Sequence, residues 1–500
     1  MRANHELVQE ARAFARSHGR LYINGAQTDA LLEATLDSID PSNGDVWATV
    51  HAGGAADIDR AVQAAHSCFE KDWGRRPPAD RERILRRFLD LLERNTDLLA
   101  ALDSIDNGVV LSMLRTQGAG LLLSTVEYFS GWPTKVAGQA FAPTRLPSVP
   151  GRIATLSTIF EPIGVVGCIL PWNAPAAFSL TKAIPALAAG CTVVVKPAEQ
   201  TPVSALAIAE LLTEAGLPAG AFNVVNGMGD VAGAALVEHP LVRKISFTGS
   251  TDVGRIISQA GGRSFKRMTL ELGGKSAFIV MDDADIDTAA AVAHIAGYFL
   301  NGQFCMCPSR LLVERRVRDR FVGTLSAMAQ AMRVGPSYQE GVTMGPLISA
   351  VDQQRVHRIV TDVSAAGAKV IYGGAPTEGP GFGFQPTLID VADHDLPFCQ
   401  EEIFGPVMGV TTFDRDDMDG LVKMANSVRY GLAASIWTSD LKTAHSLIPA
   451  LQVGVVSIND HATVDAMYPF GGVKESGIGR EFGRDGFESF FEKKSVSICY

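Results

Sequence analysis

The feature that most restricts the fold is an alternation that begins near residue 160. Short, continuously apolar runs alternate with stretches of helical pattern: "IGVVGCIL" (163–170), "TVVVK" (192–196), "FNVVN" (222–226), "RKISF" (243–247) and "FKRMTL" (265–270). A strand apolar on both faces must be covered on both faces. Such runs separated by helices therefore predict parallel strands in a doubly wound α/β sheet. The helices carry their own punctuation. One spans about Ala176 to Ala189. The next has Thr201 as N-cap, Pro202 in the first position and Gly216 as stop, and a short one runs from about Asp230 to Glu238. A second alternation follows Gly274, with strands expected at "SAFIVM" (276–281), "RLLVER" (310–315), "VMGVTTF" (407–413), "AASIWT" (433–438) and "VGVVSIN" (453–459). Helices fit at 316–333 and 440–450, and the Gly- and Pro-rich region 338–400 reads as less regular. Only the glycine pair Gly273-Gly274 separates the two alternations, so the two units should be in close contact.

A chain of 500 residues is too long for one core, which predicts two or three domains. The formal net charge of -10 argues against a nucleic acid or an anionic membrane as partner, since both require a basic footprint. Seven scattered cysteines, an odd number, fit a reducing compartment, the cytoplasm, better than a disulfide framework. No run reaches the ~18 apolar residues of a membrane span. The opening stretch "MRANHELVQEARAFARSHGR" is amphipathic, and Glu6 and Glu10 make it read as a surface helix of a soluble protein.

In an open parallel sheet, ligands bind beyond the carboxyl ends of the strands. Here those ends carry polar residues. The first is followed by Pro171-Trp172-Asn173. The second ends in Lys196, with Glu199 shortly after, and the third runs into "NGMGDVAG". The fourth ends in Thr248-Gly249-Ser250 before a helix at about Thr251, and the fifth in "LELGG" with Glu271 at its tip. The pattern Gly227, Gly229, Gly233 is one residue longer than the usual dinucleotide fingerprint, and no acidic residue ends the following strand. A plain turn explains it equally well, and Glu199 could serve a ribose instead.

The stretch "NGQFCMCPSR" (301–310) holds Cys305 and Cys307. A metal would need two further ligands at sensible spacing, and none is near. A disulfide between residues two apart is strained. What stays open from spacing is inert core cysteine or a nucleophile beside a bystander.

Seven motifs in order carry a resemblance: "ILPWNAP" (169–175), "VVVKPAEQTP" (193–202), "FTGSTDVG" (247–254), "LELGGKSA" (270–277), "NGQFCMCPSR", "EEIFGPV" (401–407) and "PFGGVKESGIGRE" (469–481). From about residue 21 to its end the chain resembles the NAD(P)-dependent aldehyde dehydrogenase superfamily. The resemblance implies an aldehyde-dehydrogenase-like α/β fold. It would have a Rossmann-type cofactor domain (1–139 and 163–273), an α/β catalytic domain (274–473) and a small β bridging or oligomerisation region (140–162 and 474–500). It implies Cys305 as nucleophile, Asn173 in the oxyanion hole and Glu271 as general base, with Lys182 and Glu481 relaying protons. Cofactor contacts would come from Trp172, Lys196, Glu199, Gly229, Ser250, Leu272, Glu402 and Phe404, with NAD as cofactor and NADP as the alternative. No metal is implied. The apolar, β-prone tail "SVSICY" reads as a strand that must find a sheet edge elsewhere, hence a homodimer or homotetramer.

The expected reaction is oxidation of an aldehyde to the carboxylic acid. Ala174 and Val464 stand where many relatives carry aromatic residues, which points to a wide pocket for a hydrophobic or aromatic aldehyde, unless Phe178, Tyr468 or Trp132 refills it. No arginine or acid in these segments clearly marks a charged substrate, although His461 and Asp465 lie in the same loop. Two other readings remain at this stage: an enzyme that hands the acyl group to coenzyme A, and a catalytically silent structural relative. The first generally lacks the glutamate present here as Glu271, and the second would tolerate loss of Cys305, Glu271 or Asn173.

Overall fold

Five of the expected runs form neighbouring parallel strands in a computed structural model that describes residues 2–145, 151–461 and 463–500. They are β1 (Val165–Ile169), β2 (Thr192–Lys196), β3 (Phe222–Val224), β4 (Val242–Thr248) and β5 (Arg267–Glu271). Their spatial order is β3-β2-β1-β4-β5, that of a dinucleotide-binding sheet. Every residue of β1, β2 and β3 is buried, as expected of strands covered on both faces. A hairpin of Leu21–Ile23 and Ala26–Thr28 extends the sheet beside β3. At the other edge Gly477–Ile478, from the part of the chain expected to bridge, pairs antiparallel with β5. Register sets Ile169 level with Lys196 and with Phe247, and Thr248 level with Glu271. One rim of the sheet therefore carries Lys196, Thr248 and Glu271.

The helices over this sheet depend on one that sequence patterning did not resolve, α1 (Pro78–Asn107). Pro175 occupies the first turn of α2 (Pro175–Ala189), and Gly190 ends it with φ 98°. The next helix, α3, spans Val203–Glu214. Thr201 is not its N-cap, contrary to expectation. Pro202 holds that position, and the Val203 N–H donates instead to Asp106 of α1 at 3.3 Å. Asp103, one turn earlier on α1, accepts the Ala176 N–H of α2 at 3.2 Å. Two buried aspartates of one helix thus satisfy orphan donors at the starts of two others. The short helix after β3 opens with a wide turn, Gly229–Gly233, and continues as Ala234–Glu238. Beyond β4 lies α4 (Thr251–Gly262), with Ser250 as N-cap.

The second alternation forms another largely parallel sheet. Its strands are β6 (Ala277–Val280), β7 (Arg310–Glu314), β8 (Thr387–Asp390), β9 (Val407–Phe413), β10 (Ala433–Trp437) and β11 (Val455–Ile458), in the order β8-β9-β7-β6-β10-β11. Lys369–Tyr372 pairs antiparallel at the β8 edge. Between β6 and β7 runs α5 (Ile286–Tyr298). The region expected to be less regular, 338–400, holds a regular helix over Ala350–Ala365, capped by Ser349, which accepts the Asp352 N–H at 3.0 Å.

The tail finds its edge in its own chain. Phe491–Cys499 pairs with Ile153–Pro162 through nine residue pairs, and Ala140–Arg145 lies on the other side of that strand. The expected bridging region 140–162 includes 146–150, which lie outside the described residues. Among the described residues no helix is long and apolar enough to cross a membrane, and no group of three or more His, Cys, Asp or Glu could hold a metal ion.

Candidate active site

Cys305 owes its position to a costly piece of backbone. After α5 the chain turns through Leu300 (φ 48°), Asn301 (φ 60°) and Gly302 (φ 73°), three successive left-handed residues. That conformation disfavours side chains by ~1–2 kcal/mol per residue. The Asn301 side chain offsets the cost: Nδ2 donates to the carbonyls of Gly108 and Pro346, both at 2.9 Å, and Oδ1 accepts the Gly345 N–H at 2.8 Å. Gln303 is tethered in turn, its Oε1 accepting the Ile348 N–H at 2.9 Å. Sequence reasoning found the Gly-Gln pair but missed Asn301, whose cue is an Asn-Gly pair at the end of a helix.

From β1 the Asn173 side chain reaches this loop, and its Nδ2 donates to the Gln303 carbonyl at 3.0 Å. Asn107, the last residue of α1, holds the Asn173 carbonyl at 3.2 Å. Cys305, Asn173 and Glu271 line one cavity of about 130 Å³. Its walls are largely apolar, with Leu99, Ala174, Phe178, Leu272 and Val464 among them. Phe178 refills part of the space beside Ala174. Trp132 does not; it packs on Phe487 at 5.3 Å. Tyr468 faces a separate surface hollow. His461 is not in the cavity either: it is buried, with Nε2 at 2.8 Å from the Met306 carbonyl and Nδ1 on the Ser435 hydroxyl. Asp465 turns into its own loop and accepts the Met467 N–H at 2.8 Å. In the same segment, residue 462 lies outside the described residues.

Burial and nearby charge keep the thiol protonated. Burial, then the carboxyls of Glu402 and Glu271, push Cys305 far above the ordinary thiol range. Glu271 is itself raised well above a normal carboxyl, by burial and by Glu481. Among the described residues neither of its oxygens has a hydrogen-bond partner. A Cβ at Gly471 would stand 2.6 Å from Oε1, so that glycine makes the space the carboxyl occupies. Behind it, Lys182 forms a buried ion pair with Glu481, and the Ser246 hydroxyl lies 3.3 Å from both. Cys307 is buried beside the Gly297 carbonyl, 3.5 Å from its Sγ, and burial pushes it up to about 12.

The crevice at the strand ends has the features of a dinucleotide site. Lys196 Nζ and Glu199 Oε2 are 2.8 Å apart, and the other Glu199 oxygen accepts the Gly229 N–H at 3.3 Å. The Ser250 hydroxyl accepts the Val253 N–H at 3.4 Å, at the start of α4, where backbone N–H groups favour an anion. Glu402 accepts the Gly274 N–H at 2.9 Å. Burial brings this carboxyl up to about 7. Trp172 and Phe404 meet edge to face at 5.2 Å. Leu272 is buried over Gly254, where a Cβ would collide with it. Two buried polar groups along this rim have no partner among the described residues, the Asn226 amide and the Thr248 hydroxyl. Such atoms cost free energy unless something else satisfies them, so the residues present fit a polar ligand such as a nicotinamide dinucleotide.

Known proteins share this arrangement. The chain matches the family model described as "Aldehyde dehydrogenase family" over residues 28–496. It is 42% identical over 486 residues to phenylacetaldehyde dehydrogenase of Pseudomonas fluorescens, covering 96% of each protein. It is 40% identical to the mitochondrial benzaldehyde dehydrogenase of Antirrhinum majus, covering 96% of this chain and 88% of the other. The solved NAD+ complex of an aldehyde dehydrogenase from Bacillus cereus superposes with a TM-score of 0.93 at 38% identity, covering 98% of both chains. With a model match along almost its whole length and relatives this similar end to end, the chain belongs to the aldehyde dehydrogenase family.

Proposed function

We propose that this protein oxidises a hydrophobic, single-ring aldehyde to its carboxylic acid with NAD. The observation that carries the reading is the apolar cavity of about 130 Å³ with Cys305, Asn173 and Glu271 together in its lining. Dry apolar cavities of ~150 Å³ take up benzene, so one ring matches this space. The phenylacetaldehyde and benzaldehyde relatives support the same class of substrate.

In this reading Cys305 Sγ, as thiolate, adds to the aldehyde carbon. The oxygen that gains charge is met by the second N–H of the Asn173 amide and by the Cys305 backbone N–H. A bound nicotinamide dinucleotide supplies the acceptor for the hydride, and the acyl group is left on Cys305 as a thioester. Glu271 takes a proton from the water that attacks this thioester, releasing the acid and leaving Cys305 as the thiolate. The Lys182–Glu481–Ser246 cluster carries that proton onward. Glu199 and Lys196 hold the adenosine ribose, Ser250 and the start of α4 the pyrophosphate, with Gly229 giving close approach. Glu402 takes the nicotinamide ribose, while Trp172, Leu272 and Phe404 wall the nicotinamide end. The Glu199 carboxylate repels a 2′-phosphate, so NAD is preferred to NADP.

The same reading assigns a cofactor unit to 1–139 and 163–273, a catalytic unit to 274–473 and a bridging role to the remainder, with Gly477–Ile478 pairing into the cofactor sheet. The three-stranded arm makes contacts between copies in a cytoplasmic dimer or tetramer.

The test is a panel of aldehydes followed by NADH absorbance, with NAD and NADP compared and acid and acyl-CoA products separated. The expected result is a higher kcat/KM for phenylacetaldehyde and benzaldehyde than for acetaldehyde or an aldehyde bearing a carboxylate, with free acid as product. A best substrate that is charged, or acyl-CoA as the main product in the presence of coenzyme A, overturns the reading.

A further inference from the structure

The Cys305 loop is pinned on both sides by side chains that follow two distant strands. On the upstream side the Asn173 amide donates to the Gln303 carbonyl at 3.0 Å. On the downstream side His461 Nε2 lies 2.8 Å from the Met306 carbonyl. A carbonyl oxygen only accepts, so Nε2 carries the proton. A neutral imidazole has a single N–H, so Nδ1 carries the lone pair, and the Ser435 hydroxyl donates to it. The order of donation is therefore Ser435 to His461 to the Met306 carbonyl. Burial holds the ring in the neutral form this order needs, with its protonation pushed down to about 4. Ser435 is fully buried in β10, His461 is 8% exposed just past β11, and Met306 is 1% exposed. The two strands are neighbours, Ser435 pairing with Ser457, so the chain of bonds ties the nucleophile loop to the floor of the second sheet.

We infer that Ser435 and His461 form a positioning pair for Cys305, fixing the loop from which the thiolate attacks and from which the Cys305 N–H is aimed. The pair moves no proton to or from substrate. This inference rests on Cys305 being the nucleophile, as proposed above. It also explains why a histidine placed in the substrate loop does not face the substrate cavity.

The test uses His461→Phe, which keeps ring volume but has no donor, His461→Gln, whose amide N–H can still reach the carbonyl, and Ser435→Ala. Four quantities are read: the rate at which iodoacetamide alkylates Cys305, kcat, KM for the aldehyde, and the thermal midpoint. A displaced reacting group costs on the order of 10²-fold. His461→Phe should lose about that in both alkylation and kcat, with KM nearly unchanged, and His461→Gln should recover most of it at a similar thermal midpoint. Ser435→Ala should fall between, because the freed ring can shift its proton to Nδ1 and release the carbonyl. Wild-type alkylation and kcat in His461→Phe overturn the inference. So does equal loss in the Phe and Gln variants that follows their thermal midpoints. Should His461→Phe not fold, Ser435→Ala decides, and an unchanged alkylation rate in it overturns the inference. Alkylation that changes as expected in a protein that oxidises no aldehyde would leave the inference standing and sink the functional reading instead.

Discussion

Glu271 and Glu402 face the same sulfur, yet they are held differently. Both push the Cys305 thiol up. Glu402 accepts the Gly274 N–H at 2.9 Å and is raised by burial to about 7, whereas Glu271, also raised by burial, has no hydrogen-bond partner among the described residues. A tethered carboxyl is suited to receiving hydroxyl donors at a fixed place. An untethered carboxyl beside a glycine can swing, take a proton and give it up. The difference teaches that one motif letter, E, stands for two tasks, and that the backbone around it chooses between them.

The largest effect that would sharpen the contrast is on deacylation. Glu271→Gln keeps the volume of the side chain but cannot take a proton. Steady turnover should fall ~10²–10⁴-fold. Mass spectrometry should find at most one acyl group per chain, on Cys305. A variant that turns over normally breaks the comparison.

Next in size is the cofactor effect. In Glu402→Gln turnover at saturation should survive, while KM for NAD rises about tenfold, the equivalent of one charge-assisted hydrogen bond. A pH series separates the tasks further. The Glu402 carboxyl is raised in the folded protein, so it is protonated below about 7 and ionised above. The ionised form is the better acceptor for ribose hydroxyls. KM for NAD should therefore fall as pH rises through about 7 and then level off. In Glu402→Gln the same profile should be flat, and a profile unchanged from wild type would contradict the assignment.

A smaller effect concerns the thiol. Removing the Glu402 charge removes the second-largest cause that holds Cys305 protonated. Glu402→Gln should therefore speed alkylation of Cys305 severalfold at neutral pH. A slower reaction would show that Glu402 acts on the sulfur through something other than charge.

The smallest expected effect is at the neighbouring cysteine. The Cys307 Sγ makes a long contact of 3.5 Å with the Gly297 carbonyl. Cys307→Ala should leave turnover close to wild type and cost about 1 kcal/mol of stability or less, read as a small fall in thermal midpoint.

What could be read from sequence follows from how local each signal is. β2 and β9 appear as expected, because continuous apolar runs bounded by turns leave no alternative. Asn173 and Glu271 share one rim because parallel strands in order bring their ends there, and Cys305 joins them in one cavity from the loop after α5. The misses are non-local. Thr201 has a good capping side chain, but its hydroxyl has no partner among the described residues and an aspartate 97 residues away from Val203 does the work. His461 sits in the right loop, yet its ring turns inward to Met306, a carbonyl 155 residues away in the chain. The Ala350–Ala365 helix was hidden by the glycines and prolines on either side of it. The tail strand was legible as a strand, while its partner was not, since edge pairing leaves no mark in a single segment.

The two aspartates of α1 have a consequence for how separable the parts are. Asp103 and Asp106 reach 73 and 97 residues along the chain to complete the starts of α2 and α3, which flank the first two strands of the nucleotide sheet. A fragment beginning at β1 would contain all five parallel strands and every glycine of the fingerprint. It would still lack the groups that finish its own first two helices. The cofactor unit is therefore not a transplantable module in the way its contiguous motifs imply. Its contour in space is one body, but its chain is stitched, and the stitches are two carboxyl groups contributed by a helix far upstream.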